Sequence, residues 1–216
     1  MDPQFWLSRW EEGRTGFHGE AVHEDLVRFE DRFLAGGPHR VLVPLCGSTL
    51  DLGWLAERGH EVVGIELSPL AVDAIWATAG EAPVRDRHGD FQRSRAGRLT
   101  VLQGDVFQAT PELLGPFDRV WDRAAIVALD PERRVRYAAT VGRLLRPGGL
   151  ILQNAFSYDQ AQMDGPPFSV TAGELQTHYA GWSSELLHKE VLTEGRMAER
   201  GLDAFEVSCT LLGKPA

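Results

Sequence analysis

Four stretches of the 216-residue chain place side chains where a backbone turn would present them to a ligand. Each follows a short apolar run of strand length. The loop Pro44-Leu45-Cys46-Gly47-Ser48 closes the run Arg40–Pro44, and Glu66 closes Glu61–Glu66, nineteen residues beyond Gly47. Asp105 comes just after Leu99–Gln103, and Trp121-Asp122-Arg123 ends the run that begins at Phe117. A carboxylate so placed accepts hydrogen bonds, so Glu66 suits ribose hydroxyls and Asp105 suits an amino group such as that of adenine. Arg123 would attract an anion. Each residue also has a plainer use. Glu66 can cap the helix that follows, Asp105 can cap a turn, and Arg123 can simply pair with Asp122. Spacing leaves both sets open.

The first loop narrows the ligand. A pyrophosphate needs G-x-G-x-x-G so that backbone can approach it closely. Residues 44–50 read PLCGSTL, with one glycine. A nucleoside without phosphates satisfies both the missing glycines and the acidic Glu66, and S-adenosylmethionine is the common ligand of that kind. Cys46 has no identifiable base partner and is expected to be a small buried side chain. The seven histidines form no HxxxH or HxH pair, and no cysteine stands near them at ligand spacing, so no metal site is expected. His18 lies beside the expected site, with a solvated or structural role expected for it.

Positioning such residues takes alternating strands and helices. The first 36 or so residues read as helical, with Phe5, Trp6, Trp10, Leu26, Val27, Phe29 and Phe33 among charged neighbours. Gly36-Gly37-Pro38 breaks the pattern before the strand Arg40–Pro44. A helix is predicted from Thr49 to about Arg58, with Gly59 ending it, then the strand Glu61–Glu66. Ser68 and Pro69 open the next helix as N-cap and first residue, and Leu70, Val72, Ile75 and Trp76 repeat at helical spacing. Residues 81–98 read as an irregular insertion or a short hairpin. Strands follow at Leu99–Gln103 and Phe117–Trp121, then a helix from Asp130-Pro131 through Leu145. Pro147-Gly148-Gly149 reads as a turn before the strand Leu150–Gln153. A short helix around Ala172–Tyr179 precedes two late strands, near Glu185–Leu192 and Ala204–Leu212. The alternation predicts an α/β, doubly wound, mostly parallel sheet with helices on both faces. The last two strands lack a crossover helix between them and are expected to pair as a C-terminal antiparallel hairpin.

Composition sets the outer bounds. Apolar residues are 43% and charged residues 25%, as in an ordinary globular domain. Lys and Arg total 22 against 31 Asp and Glu, a net charge of −9, which disfavours a nucleic acid or an anionic membrane as partner. Arg85, Arg87, Arg93, Arg95 and Arg98 are interleaved with Glu81, Asp86 and Asp90 and read as a solvated surface. Two widely separated cysteines make no disulfide framework, so a reducing cytoplasm is the expected setting. The N-terminal MDPQFWLSRWEEGR has no apolar core of a signal peptide, and no run is long enough to span a bilayer.

Taken in order, Phe5-Trp6…Arg9-Trp10, Gly16-Phe17-His18, Val41–Gly47, Gly59-His60…Glu66-Leu67-Ser68, Trp121-Asp122-Arg123-Ala124-Ala125 and Gly165-Pro166-Pro167-Phe168-Ser169-Val170 resemble thiopurine S-methyltransferases, especially bacterial ones. The likeness runs over nearly the whole chain. One departure is Ser48, which stands where the family usually has lysine. The resemblance implies a single class I methyltransferase domain over residues 1–216, built on a Rossmann-like sheet, with residues 1–36 as a helical lid and 81–98 as a variable insertion. It implies S-adenosylmethionine as donor and a small aromatic or heterocyclic thiol as acceptor, with selenium or tellurium oxyanions a further class. Carried over by position, Trp6, Trp10 and Phe17 close the lid over the cofactor, Leu45 contacts it, and Glu66 binds the ribose. Asp105 and Val106 fall on the adenine side. Arg123 falls at the methionine end and beside the acceptor, and Arg196 is a second acceptor-side arginine, the two favouring an anionic acceptor. Trp6 and Trp10, four apart, share one helical face, which core packing alone would also explain. Rival readings are a halide or thiocyanate methyltransferase on the same fold and a cofactor-binding protein without catalysis. A monomer is expected.

Overall fold

A computed structural model describes residues 3–216. The chain opens with helices α1 (Pro3–Glu11), α2 (Glu24–Arg28) and α3 (Glu30–Phe33), followed by strand β1 (Arg40–Pro44). Then come α4 (Asp51–Glu57), β2 (Glu61–Glu66), α5 (Pro69–Ala79), and the strands β3 (Val84–His88), β4 (Phe91–Ala96) and β5 (Leu99–Gln103). Helix α6 (Pro111–Leu114) leads to β6 (Phe117–Arg123), α7 (Pro131–Leu144), β7 (Leu145–Ser157) and α8 (Ala172–His178). Strand β8 (Ser183–Leu192), the short α9 (Arg196–Glu199) and β9 (Phe205–Gly213) complete it.

Nine strands form one sheet in the order β3-β4-β5-β2-β1-β6-β7-β9-β8. The central five, β5-β2-β1-β6-β7, run parallel. Antiparallel strands flank them on both sides, so the sheet is mixed: β8 and β9 form the expected C-terminal pair, and β3 and β4 add another at the far edge. The β3–β4 hairpin turns at Gly89-Asp90, where Gly89 has φ +59°, the left-handed conformation such two-residue turns require.

Helices cover both faces, and β1 shows why the fold needs them. Its Val41, Leu42 and Val43 are all fully buried. Val41 and Val43 pack with Leu52, Leu55, Ile75 and Trp76 from α4 and α5, whereas Leu42 packs on the opposite face with Tyr137, Val141 and Leu144 of α7. Side chains alternate across a strand, so a strand apolar at every position must be covered on both sides.

Local signals act as expected at several ends. The Ser68 hydroxyl accepts from the Ala71 amide ahead of Pro69, and Asp130 accepts from the Arg133 amide ahead of Pro131. Three details differ. Residues 12–23 are irregular rather than helical, because Gly13, Gly16 and Gly19 interrupt the segment. Leu70 points outward, half exposed, while Val72, Ile75 and Trp76 carry the buried face of α5. Pro147-Gly148-Gly149 does not end a strand; it lies inside β7 as an irregularity of its pairing with β6. The Gly148 amide donates to the C-terminal Lys214 carbonyl at 3.1 Å, and the Lys214 ammonium donates to the carbonyls of Gly142 and Leu145.

Candidate functional site

At the carboxyl ends of β1, β2, β5 and β6 lies a cleft of about 630 Å³. It sits where the strand order reverses, the position at which open α/β sheets bind ligands. Every residue singled out from the sequence lines it: Trp6, Trp10, Phe17, Leu45, Glu66, Asp105, Val106, Arg123 and Arg196.

The floor is made of tight turns. Among the described residues only Leu45 (φ +48°) and Ala124 (φ +54°) are non-glycine residues in the left-handed region, and both line the cleft. Such backbone costs of order 1–3 kcal/mol each and gathers at ligand sites. Gly47, φ +55°, is required twice over: its backbone is left-handed, and a Cβ there would run into the His18 ring. Glu66 is nearly buried and grips this loop. Its Oε2 accepts the Gly47 amide at 2.8 Å and its Oε1 accepts the Ser68 amide at 2.7 Å. Burial pushes the Glu66 carboxyl up, and the amides of Ser68, Gly47 and Leu67 pull it back. The capping use of Glu66 is therefore real, yet each oxygen keeps a lone pair and the side chain faces the cleft. Asp105 behaves alike: its Oδ1 accepts the Phe107 amide at 2.9 Å, capping one 3₁₀ turn at Val106–Gln108.

Arg123 does not pair with Asp122. Neighbouring residues of a strand leave opposite faces. Asp122 points into the core, where its Oδ2 accepts the Tyr137 hydroxyl at 2.7 Å and its Oδ1 accepts the amides of Ala125 and Ile126. Arg123 shares its face with Trp121 and meets Asp51 instead, with Nε 3.7 Å from Oδ2. Asp51 went unread in the sequence, where it is one of several acidic residues at a helix start. It is fully buried and also accepts the Trp121 indole N–H at 2.7 Å and the His23 amide at 2.8 Å. One carboxylate thus fixes Arg123, the end of β6 and the end of the irregular segment 12–23.

The roof is aromatic. Helix α1 has no buried residue of its own. Its Trp6 and Trp10 meet Phe17 edge-on at 5.5 and 5.9 Å between ring centres, and Trp10 lies 4.9 Å from the His18 ring. Arg196, from α9, donates to the Gly16 carbonyl and so ties the roof to the far side of the cleft. Burial, with Arg123 nearby, depresses the His18 imidazolium to about 4 against a weaker opposing pull from Asp51, so His18 is neutral at pH 7. Cys46 is buried and burial drives its thiol pKa well up, which leaves it inert.

Buried polar atoms without a hydrogen-bond partner concentrate here. Of eight such side-chain atoms among the described residues, five belong to residues that line the cleft: Trp6 Nε1, both His18 ring nitrogens, Arg123 Nε and Asn154 Oδ1. Such atoms are costly unless something else completes them. Together with the acceptors Glu66 and Asp105 and an aromatic roof, they fit a nucleoside bearing a sulfonium. Among the described residues, no group of His, Cys, Asp and Glu is arranged to hold a metal, and no helix is long and apolar enough to cross a membrane.

The buried Asp122 carries a pH prediction. Burial pushes its carboxyl up to about 6, from an ordinary 3.8. Folding favours its protonated form, so this contribution is fully present below about pH 4 and falls by roughly 3 kcal/mol as pH rises through 6. Urea midpoints of the wild type should therefore lose ground against Asp122→Asn between pH 4 and 7. A difference that stays level across this range would refute the assignment.

Comparison with known proteins agrees with this geometry. The family model described as thiopurine S-methyltransferase matches residues 1–214. A thiopurine S-methyltransferase of Bordetella petrii is 44% identical over 210 residues, covering 95% of each chain. One from Pseudomonas paraeruginosa is 40% identical over 215 residues, covering 98% of this chain and 99% of its own. Among solved structures, the Burkholderia thailandensis 1,6-didemethyltoxoflavin-N1-methyltransferase, with bound 1,6-didemethyltoxoflavin and S-adenosylhomocysteine, superposes with a TM-score of 0.65. It is 18% identical, and the match covers 99% of this chain and 87% of that one, so it speaks for the fold. Identity at this level over almost the full length leaves one assignment: the chain belongs to the thiopurine S-methyltransferase family, and it is a methyltransferase.

Proposed function

We propose that this methyltransferase moves a methyl group from S-adenosylmethionine to the sulfur of a small aromatic or heterocyclic thiol. Arg123 carries the reading. Its guanidinium lines the cleft with no carboxylate nearer than Asp51 at 3.7 Å, leaving it to be completed by an anionic group of a ligand.

When bound, S-adenosylmethionine supplies a sulfonium-activated methyl group. Glu66 would hold the ribose hydroxyls through its remaining lone pairs, and Asp105 and Val106 would hold the adenine. Leu45 shapes the turn that passes beneath. Trp6, Trp10 and Phe17 cover the site and exclude water, which strengthens every charge interaction inside. Arg123 and Arg196 favour the thiolate over the thiol, because a neighbouring cation lowers a thiol's pKa. The neutral His18 adds no competing charge. An acidic heteroaryl thiol needs no dedicated base, and alignment of donor and acceptor supplies the main rate gain. Arg133, Arg136 and Arg200 also line the cleft, a basic rim that favours an oxyanion as a second acceptor class.

Calorimetric titration with S-adenosylhomocysteine, followed by product detection with 6-mercaptopurine, tests the reading. Micromolar binding and S-methylated product are expected. Binding without product from any thiol would refute the acceptor class and keep the donor site. In Glu66→Ala, loss of charge-assisted hydrogen bonds should weaken S-adenosylhomocysteine roughly ten- to a hundredfold. An unchanged Kd would remove Glu66 from the ribose role.

A further inference from the structure

Asn154 lies in β7 directly in register with Arg123 of β6, so the two side chains leave the same face of the sheet. Neighbouring strands stand about 4.8 Å apart, and both residues line the cleft. The orientation of the Asn154 carboxamide is fixed by its surroundings. Its Nδ2 donates to Asp25 Oδ2 at 3.1 Å and to the Ser208 carbonyl at 3.5 Å, both of which can only accept from it. Oδ1 is therefore the acceptor left over. It is buried and has no protein partner. Asn154 itself is 1% exposed, and its anchor Asp25 is 2% exposed, so neither group can swing out to solvent. The cleft floor thus sets a cation, whose nearest carboxylate is Asp51 at 3.7 Å, beside a neutral acceptor that has no protein partner.

We propose that Asn154 is a specificity-determining residue for the methyl acceptor. Its Oδ1 accepts a ring N–H on the sulfur's side of the heterocycle, one carbon removed from the carbon that bears the sulfur, while Arg123 holds the sulfur anion, so heterocyclic thiols with that N–H are preferred. This rests on the thiol reading above and narrows it. The chemistry matches a thiopurine anion: deprotonated at sulfur, 6-mercaptopurine keeps one imidazole proton, which can sit on N7 beside the sulfur. Methylation at N9 removes that proton and adds its bulk away from the sulfur. An acceptor oxygen buried in a site discriminates strongly against a ligand that leaves it unpaired.

The test compares kcat/KM for 6-mercaptopurine and 9-methyl-6-mercaptopurine in the wild type and in Asn154→Leu. The wild type should favour 6-mercaptopurine by roughly tenfold or more, the size of one hydrogen bond left unmade. In Asn154→Leu the ratio should collapse towards one, with S-adenosylhomocysteine binding kept as the check on folding. A ratio equal in both proteins, even with both activities reduced, would make Asn154 purely structural and overturn the proposal. Should the variant fail to bind S-adenosylhomocysteine, the wild-type ratio alone decides, and a value near one overturns it. A wild type that methylates neither compound sinks the thiol reading itself, a result distinct from an unmoved ratio.

Discussion

Arg123→Ala is expected to lower kcat/KM for a thiol acceptor by roughly a hundred- to a thousandfold, the usual effect of deleting one preorganised charge partner in a dry site. Binding of S-adenosylhomocysteine should change by less than about threefold, a difference worth under 1 kcal/mol. The two outcomes separate because Arg123 is assigned to the acceptor's charge. The fold should survive the change. Asp51 would keep the Trp121 indole N–H and the His23 amide, so its buried carboxylate is not orphaned. Acidity supplies a second signature. Without the guanidinium a thiol holds its proton to higher pH, so the acid limb of the rate profile should move upward in the variant. Lysine at 123 should restore that limb in part but not the full rate, because an ammonium lacks the planar fork of donors. Full activity in Arg123→Ala would end the assigned role.

Arg134→Ala is expected to destabilise the protein by about 2–5 kcal/mol, the cost of two carbonyls left unpaired, read as a lower urea midpoint at unchanged slope. Arg134 lies on α7 and is only 1% exposed. Its Nε donates to the Leu129 carbonyl at 2.8 Å, and its Nη1 donates to the Ser169 carbonyl at 3.0 Å and to Glu174 at 2.5 Å. Removing the side chain strands two carbonyls and leaves Glu174, which is part exposed, with His178 as its remaining partner. Arg134→Met, which keeps most of the volume, should recover only the packing part of the loss. The site would feel the change as well, because Pro166 and Pro167, just before the tethered Ser169, line the cleft. A loss below about 1 kcal/mol would place Arg134 among surface ion pairs, whose removal costs little.

Which parts of this structure could be read beforehand depended on how local their causes are. The strands β1, β2 and β5 were legible to the residue, since each is an apolar run bounded by turn residues. Helix α5 was legible at its start because Ser68 and Pro69 act within one turn of it. The irregular stretch 12–23 was not, because aromatic spacing around it mimics a helix and its shape comes from contacts with Asp51 and Arg196 far along the chain. Pro147-Gly148-Gly149 misled for a related reason: a strong local turn signal was absorbed into β7 by pairing with the C-terminal tail. In the site, Glu66 and Arg123 stood out as charged residues ending apolar runs. Asp51 and Asn154 did not, since a buried carboxylate at a helix start and an asparagine inside a strand look ordinary until the opposite strand or helix is known. The partner of Arg123 was invisible for the same reason.

Helix α1 buries no residue of its own, and the segment after it is held across the cleft by ring edges, one arginine-to-carbonyl bond and, at its far end, the His23 amide on Asp51. Its departure therefore takes no side chain out of either core. On the proposed reading, in which α1 roofs the cofactor, exchange of spent cofactor for fresh would be uncoupled from the integrity of the sheet. Residence time on the enzyme and resistance to heat would then be two separate properties of one chain, the first set around α1 and the second elsewhere, each free to change in sequence without the other.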